Sequence, residues 1–317
     1  MRPEISIIVC TYNAPDLVAR CLNSILNQTY KNIEILCVDG MSIDKTRDVV
    51  KKYMKRDKRV KLILNKNRLP EGKGNGKWLG FKRAKGKIIG VVDQDNLLQR
   101  EDLIEKVLEI FKKNKDLIGI LGGLKHDLSD ERIVRYVSLV GTDSFFAYRS
   151  VDFIRNIRKL KSHSNIEIFP MQVDNMTMTG GNCFFYKKSD LEKIEGYEKD
   201  IVTVRKLIKS GKSKLMIIPN ATKHYAENNL LTLTKKKFFW GKKFQFNNEG
   251  EFSYLPSTAK ERVAFIKNIL FNLTIIPNFY YSSKLFSESK DFISFTFPIF
   301  AFLNTLAYGV NFLKTKF

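Results

Sequence analysis

Residues 6–46 read SIIVCTYNAPDLVARCLNSILNQTYKNIEILCVDGMSIDKT, with Ile5 ahead of them, and this stretch decides the fold. Residues 5–10 (ISIIVC) form an apolar run of the kind expected for a strand buried on both faces. Pro15 can open a helix, and Leu17, Val18, Cys21, Leu22, Ile25 and Leu26 then recur at helical spacing. Residues 33–38 (IEILCV) are a second strand that stops at Asp39. Ser42 or Asp44 is placed to cap the next helix, which carries Val49, Val50, Tyr53 and Met54 on its apolar stripe.

Reading outward, residues 60–64 predict a third strand, and residues 87–92 (KIIGVV) a fourth that stops at Asp93. Strands separated by helices imply right-handed crossovers and an α/β, doubly wound, mostly parallel sheet with flanking helices. Ligands on such sheets sit beyond the carboxyl ends of the strands, where Asp39 and Asp93 fall. The middle of the chain is less regular. Its basic stretch 155–161 (RNIRKLK) reads as a solvated helix face. Further on, a helix pattern runs from Ser189 to Gly196. A second covers about 200–210 and ends at Gly211, a plausible C-cap, before a short strand at 215–218 closed by Pro219.

The ends of the chain differ in character. Residues 1–10 enter an apolar strand too short for a secretory h-region, so no signal peptide is expected. Residues 268–283 (NILFNLTIIPNFYYSS) and 292–313 (FISFTFPIFAFLNTLAYGVNFL) carry no charge. The second run is long enough to cross a bilayer, and the first is short for one. Basic residues precede the first run and follow the second, which predicts a helical hairpin with both ends in the cytosol; the alternatives are a first helix lying in the membrane interface, or both runs packed on the catalytic domain as a soluble helical subdomain. Pro277 and Pro298 interrupt the two runs, and aromatics occur on every face of 292–302.

The chain of 317 residues suits one large domain or two ordinary ones, and its 44% hydrophobic content excludes global disorder. The net charge of +22 calls for an anionic partner: nucleic acid, a phosphate-bearing substrate or an anionic membrane surface. No nucleic-acid reader motif is present, so nucleic acid is set aside. Cys10, Cys21, Cys37 and Cys183 form no CxxC pair, which removes a zinc framework and fits a reducing compartment. Asn-x-Ser/Thr occurs at Asn27, Asn175, Asn220 and Asn272 and is read as chance.

Three local features carry chemistry. The glycines at 72, 74 and 76 follow a strand and precede a helix, but match neither the dinucleotide fingerprint nor the P-loop. The cluster is either a flexible loop or a loop near phosphate helped by Lys73 and Lys77. Asp93-Gln94-Asp95 places two carboxylates in the turn after a buried strand. That turn is either solvated or holds a hard divalent cation bridging diphosphate oxygens. His224 is one of three histidines and lies just past the 215–218 strand, whereas His126 and His163 suggest nothing.

Together these motifs resemble the family 2 glycosyltransferases of the GT-A fold. The carriers are the Thr11-Tyr12-Asn13 turn, the S-I-L-N-Q-T-Y helix end at 24–30 and V-D-G-M-S-I-D at 38–44. G-F-K-R-A-K-G at 80–86 leads to the Asp93-Gln94-Asp95 form of D-x-D. The V-D-G form and the hydrophobic C-terminus look most like the membrane-associated, succinoglycan-synthesis type. The resemblance implies a catalytic domain over 1–245, with a nucleotide-binding half to about 120 and an acceptor half beyond it. Residues 246–317 are then a membrane-associating helical region.

Carried over residue by residue, the resemblance puts Thr11, Tyr12 and Asn13 beside the nucleoside, and Asp39 on the base, which suits the N3–H of uracil. Lys77 would face the diphosphate. Asp93 and Asp95 would hold ribose and metal, with His224 a further metal or diphosphate contact. Thr179-Gly180-Gly181-Asn182 looks like the glycine turn on the acceptor side. Asp200 falls where the family carries the second residue of Glu-Asp and is the implied base, with Glu198 a rival. Trp78 stands where an Asn is usual, and residues 236–241 (KKFFWG) look like a family helix. The implied activity is inverting transfer from a nucleotide-diphosphate sugar, UDP-linked, to a lipid-linked or growing glycan acceptor. It would need a divalent cation, Mg2+ or Mn2+, and act against membrane lipids at the cytoplasmic face of the cell membrane. The alternatives are a polyprenyl-phosphate sugar synthase and a non-catalytic nucleotide-sugar-binding scaffold.

Overall fold

The computed structural model describes residues 2–67, 73–140, 166–171, 182–225, 229–240 and 259–316. Gly72, the 155–161 stretch, His163, Asn175, Thr179, Gly180, Gly181 and Gly241 lie outside the described residues. The chain divides into two compact units. One comprises residues 1–125, 164–173 and 179–224, and the other residues 126–163, 174–178 and 225–317.

The first unit is built on a nine-stranded sheet whose first half is parallel, in the order β3-β2-β1-β4. These strands are β1 (Ile5–Thr11), β2 (Ile33–Asp39), β3 (Val60–Leu64) and β4 (Ile88–Val91). Burial on both faces explains their unbroken apolar composition: every residue of β2 is buried, and all of β1 but Cys10. Register places Thr11 opposite Asp39 and Ile8 opposite Val91, so the residues after β4 emerge level with the end of β1. Helices α1 (Pro15–Leu26), α2 (Thr46–Arg56), α3 (Gly76–Arg83) and α4 (Leu103–Lys113) supply the crossovers and the cover. Val18, Cys21, Leu22 and Ile25 form the buried stripe of α1, as their spacing predicts. Neither Ser42 nor Asp44 is the N-cap of α2. Lys45 takes that position, Asp44 accepts from the Thr46 amide at 2.9 Å, and Ser42 is drawn to Asp39.

The second half of the sheet is mixed. β8 (Phe184–Lys187) runs antiparallel to both β4 and β6 (Leu117–Leu124). β6 is parallel to β9 (Lys214–His224), while β5 (Asn96–Leu98) and β7 (Glu167–Pro170) pair antiparallel with β9. Strand direction is set by the connections, which hydrophobic periodicity does not encode. β9 does not stop at Pro219. The β6 ladder shifts register between Gly122 and Leu124, Asn220 takes φ 52°, and pairing resumes at Thr222. Proline removes one ladder donor, and the irregularity absorbs it. The extension carries His224 opposite Asn96. α6 (Lys188–Lys193) and α7 (Asp200–Lys209) follow β8, and Gly211 after α7 has φ +95°, as a C-cap glycine should.

In the second unit the described helices are α5 (Arg132–Val140), α8 (Leu230–Trp240), α9 (Ala259–Leu273), α10 (Ile275–Ser289) and α11 (Phe297–Lys316). A 3₁₀ turn, Phe292–Thr296, leads into α11. The uncharged run 268–283 is not one helix: it breaks at Thr274, and α9 and α10 meet at 83°. Pro277 and Pro298 interrupt neither α10 nor α11. Each lies in the first turn, where a missing N–H leaves no helical bond unmade. α11 packs against α8, α9 and α10. Tyr136 meets Phe300 edge-on at 5.1 Å, and Tyr281 meets Phe297 at 5.0 Å. Asp291 is 3% exposed. Its Oδ1 accepts from the Ile293 amide at 3.0 Å, and its Oδ2 lies 3.4 Å from both His126 Nε2 and Arg135 Nε.

Opposite the site edge, the sheet is locked at Gly86. A Cβ there would stand 2.5 Å from the Ser6 nitrogen and 2.6 Å from the Ile5 carbonyl carbon. The Gly86 amide donates to Ser6 Oγ, which donates to buried Glu34, and Lys61 pairs with Glu34 at 2.6 Å. Because the obstruction is backbone, Gly86→Ala is expected to cost about 3 kcal/mol. Urea denaturation that finds this variant within 0.5 kcal/mol of wild type, the spread about usual for surface changes, would show that the sheet tolerates the contact.

Candidate active site

The turn after β1 is organised by Asp39. Its Oδ2 accepts from Thr11 Oγ1 at 2.9 Å and Ser42 Oγ at 2.6 Å, and its Oδ1 accepts from the Ser42 amide at 2.8 Å. Ser42 Oγ in turn accepts from the Asn13 amide at 3.1 Å, while Asn13 Oδ1 accepts from the Ile43 amide at 3.0 Å. Asn13 sits at φ 44°, a left-handed conformation that asparagine tolerates better than most residues. Gln94 pins this turn to the one after β4. Its Oε1 accepts from the Tyr12 amide at 2.8 Å, and its Nε2 donates to the Tyr12 carbonyl at 3.2 Å. The outcome is a wall of fixed polar groups at the carboxyl ends of β1, β2 and β4.

Lys77 is the centre of the site. Asn75 caps α3 by accepting from the Trp78 amide at 2.7 Å, which sets Lys77 in the first turn. The Lys77 ammonium lies 3.0 Å from Asp93 Oδ1 and 3.1 Å from Asp200 Oδ1. Burial works against its charge, but the carboxylates of Asp200 and Asp93 outweigh burial and hold its pKa well above the lysine range. Asp93 is also desolvated, yet Lys77 and the Asn182 amide, 3.2 Å from Oδ2, keep its carboxyl below the usual value. Asp200 goes the other way. Burial and the charge of Asp93 raise its pKa against the pull of Lys77. Two carboxyls facing one ammonium are thereby driven apart in acidity, the pattern that separates acid–base roles in enzyme sites.

Asp200 opens α7, with Lys199 at the N-cap, and the Tyr197 hydroxyl hydrogen-bonds its Oδ1. Glu198, the rival, pairs instead with Lys206 at 2.9 Å, and its backbone carbonyl accepts from Asn75 Nδ2. Asp95 and His224 meet on the β5–β9 side. His224 Nδ1 is 3.6 Å from Asp95 Oδ1 and 3.3 Å from Asn96 Oδ1. Among the described residues no three His, Cys, Asp or Glu side chains converge on one point. The donor set is therefore a carboxylate and an imidazole, with an amide oxygen beside them. That set would supply part of the shell of a hard divalent cation.

Of the residues singled out in the sequence, the structure brings Thr11, Tyr12, Asn13, Asp39, Lys77, Asp93, Asp95, Asp200 and His224 to one edge of the sheet. Gly180 and Gly181 fall outside the described residues, and only Asn182 of that turn is seen to reach Asp93. Sequence reasoning missed Gln94, Ser42 and Tyr197 as site members. Gln94 was visible as the middle of Asp93-Gln94-Asp95, but its strand-to-strand bond needs β1–β4 register. The Trp78 indole Nε1 is buried with no hydrogen-bond partner among the described residues, and Lys82 Nζ lies 5.3 Å from the centre of the indole ring.

Residues 6–195 match Glycosyl transferase family 2, and the chain belongs to that family. It is 33% identical over 139 residues to the glycosyltransferase GlyG of Streptococcus pneumoniae, covering 44% of this chain and 45% of GlyG. It is 36% identical over 96 residues to the GalNAc(5)-diNAcBac-PP-undecaprenol beta-1,3-glucosyltransferase of Campylobacter jejuni, covering 30% of this chain and 31% of that enzyme. The chain thus spans less than half the length of these curated relatives. Among solved structures, the mannosyltransferase PcManGT from Pyrobaculum calidifontis, in complex with GDP-Man and Mn2+, superposes with a TM-score of 0.59 at 14% identity. That match covers 99% of this chain and 88% of PcManGT and shows a shared GT-A fold.

Removing the ammonium leaves two carboxylates facing each other across the site. Lys77→Met is expected to raise the pKa of both, so the variant should lose more stability at pH 8, where both are ionised, than at pH 5. Thermal melts at the two pH values read this directly. An equal loss at both would mean that Lys77 does not compensate the pair.

Proposed function

We propose that this chain is an inverting glycosyltransferase that moves a sugar from a nucleotide-diphosphate donor to a hydroxyl of a lipid-linked or growing glycan. The observation that carries the reading is Lys77 held between Asp93 and Asp200 at the carboxyl edge of the sheet, within a family 2 domain. The chemistry assigns each group a task. The Thr11–Asn13 turn and Asp39 receive the nucleoside. Among the described residues Asp39 Oδ1 accepts from the Ser42 amide, and although the residue is buried its second lone pair suits the N3–H of uracil and favours a UDP-linked donor. Lys77 meets the diphosphate and offsets the negative charge that builds on it as the bond to the sugar breaks. Asp95 and His224 would hold a divalent cation, Mg2+ or Mn2+, which would supply the same neutralisation when bound.

Asp200 takes the proton from the acceptor hydroxyl as that oxygen attacks the anomeric carbon. The new C–O bond forms opposite the departing nucleoside diphosphate, so the configuration inverts and no sugar–enzyme bond is made. The raised pKa of Asp200 suits this task, because a base closer to neutral pH accepts a proton more readily. Tyr197 fixes the carboxylate's orientation. The apolar helices of the second unit and the undecaprenol-linked substrate named for the Campylobacter relative support an acceptor presented at the cytoplasmic face of a membrane.

Asp200→Asn is expected to bind nucleotide normally and to lose a factor of about 10²–10⁴ in kcat. Glu198→Gln should retain most activity, since Glu198 is committed to Lys206. A dead Glu198→Gln beside an active Asp200→Asn would move the base to Glu198. Asp95→Ala should cost roughly a thousandfold. Transfer of radiolabelled sugar that proceeds fully in excess chelator would remove the cation from the mechanism.

A further inference from the structure

The large apolar side chains left exposed among the described residues concentrate after residue 230. On α11, Ile299, Phe302, Leu303, Leu306 and Val310 are 39–65% exposed. They recur at i, i+3, i+4, i+7 and i+11, which is one face of a helix. The opposite face, Phe297, Phe300, Ala301, Asn304 and Tyr308, is buried. On α9, Val263, Ile266, Leu270 and Leu273 make a second exposed stripe, and on α10 Ile276 is 83% exposed beside Phe279 and Tyr280. The exposed charges described on α9, on α10 and at the α10 C-cap, Arg262, Lys267, Lys284 and Lys290, are all basic, while Glu288 is half-buried and Asp291 buried.

We infer that these faces seat the protein on one leaflet of an anionic membrane, as an interfacial helical platform that does not cross the bilayer. The inference rests on the membrane side of the function proposed above and deepens it. Apolar faces interspersed with basic side chains match an acidic lipid surface, whereas two copies of so basic a face would repel each other. The topology follows from Asp291. In a spanning hairpin the 284–291 link would stand in water across about 30 Å of hydrocarbon from the far ends of α9 and α11. Instead Asp291, at the end of that link, is buried against His126 and against Arg135 of α5. The 3₁₀ turn that follows it also packs on α5, so the tip of the hairpin is held inside the helical unit. α11 is long enough to span alone, but its buried face is packed along α8, α9 and α10, which would have to enter the bilayer with it.

The test uses the full chain with sealed vesicles of phosphatidylcholine and phosphatidylglycerol. Wild type should sediment with them, and the double variant Ile299→Glu/Leu306→Glu should lose about tenfold or more in binding. Ser287→Cys, at an exposed position near the tip, and Lys316→Cys should both stay unlabelled by a membrane-impermeant maleimide trapped inside the vesicles. Labelling of either cysteine by the trapped reagent, above the wild-type background, would overturn the one-leaflet topology. Wild type that stays in the supernatant, or that buries these faces as a dimer in lipid-free solution, would overturn the lipid partner. Sugar transfer measured separately in detergent micelles tests the enzymatic reading, so the two can fail independently.

Discussion

One ammonium between two carboxylates is the constraint from which the site follows. Without Lys77, Asp93 and Asp200 would face each other at the edge of the sheet and repel unless one took up a proton. With it, both stay close, and their acidities are pushed in opposite directions. The arrangement needs three elements to agree. The register of β4 against β1 brings out Asp93, the Asn75 cap starts α3 one residue before Lys77, and α7 begins at Asp200. In the function proposed, a diphosphate entering the site would compete for the same ammonium, and donor binding would be coupled to release of Asp200 through a single side chain.

Much of this was legible in the sequence. The continuous apolar runs of β1 and β2 announced buried parallel strands, and their ends announced where Asp39 and Asp93 would stand. The stripe of α1 and the C-cap at Gly211 followed from spacing alone. Asp200 came from the family resemblance and not from periodicity; in the structure its carboxylate lies on Lys77 while Glu198 turns to Lys206. What was not legible was long-range. The antiparallel entry of β8, the continuation of β9 past Pro219 and the Gln94 bond to Tyr12 depend on which strands become neighbours, and local periodicity carries no such information.

The C-terminal region shows the same limit. The two uncharged runs read as a membrane hairpin, with an interfacial helix or a packed helical subdomain as alternatives, because composition does not reveal which face is already occupied. The structure divides the first run at Thr274 and gives α11 one packed face and one open face. Asp291 would read as a solvated link residue between hydrophobic segments. It is instead a buried carboxylate that ties the corner before α11 to His126 and Arg135. A helix can thus satisfy the length and hydropathy of a membrane span while half of its surface belongs to a protein core.

The central claim is that Asp200, tuned by Lys77 and Asp93, is the base that accepts the acceptor proton. The most direct measurement is the pH dependence of kcat at saturating nucleotide sugar and acceptor. The account predicts an acid limb above the usual aspartate value of about 3.9, shifted when Lys77 is replaced by Met and absent from the residual rate of Asp200→Asn. An acid limb that is unchanged in Asp200→Asn would contradict it.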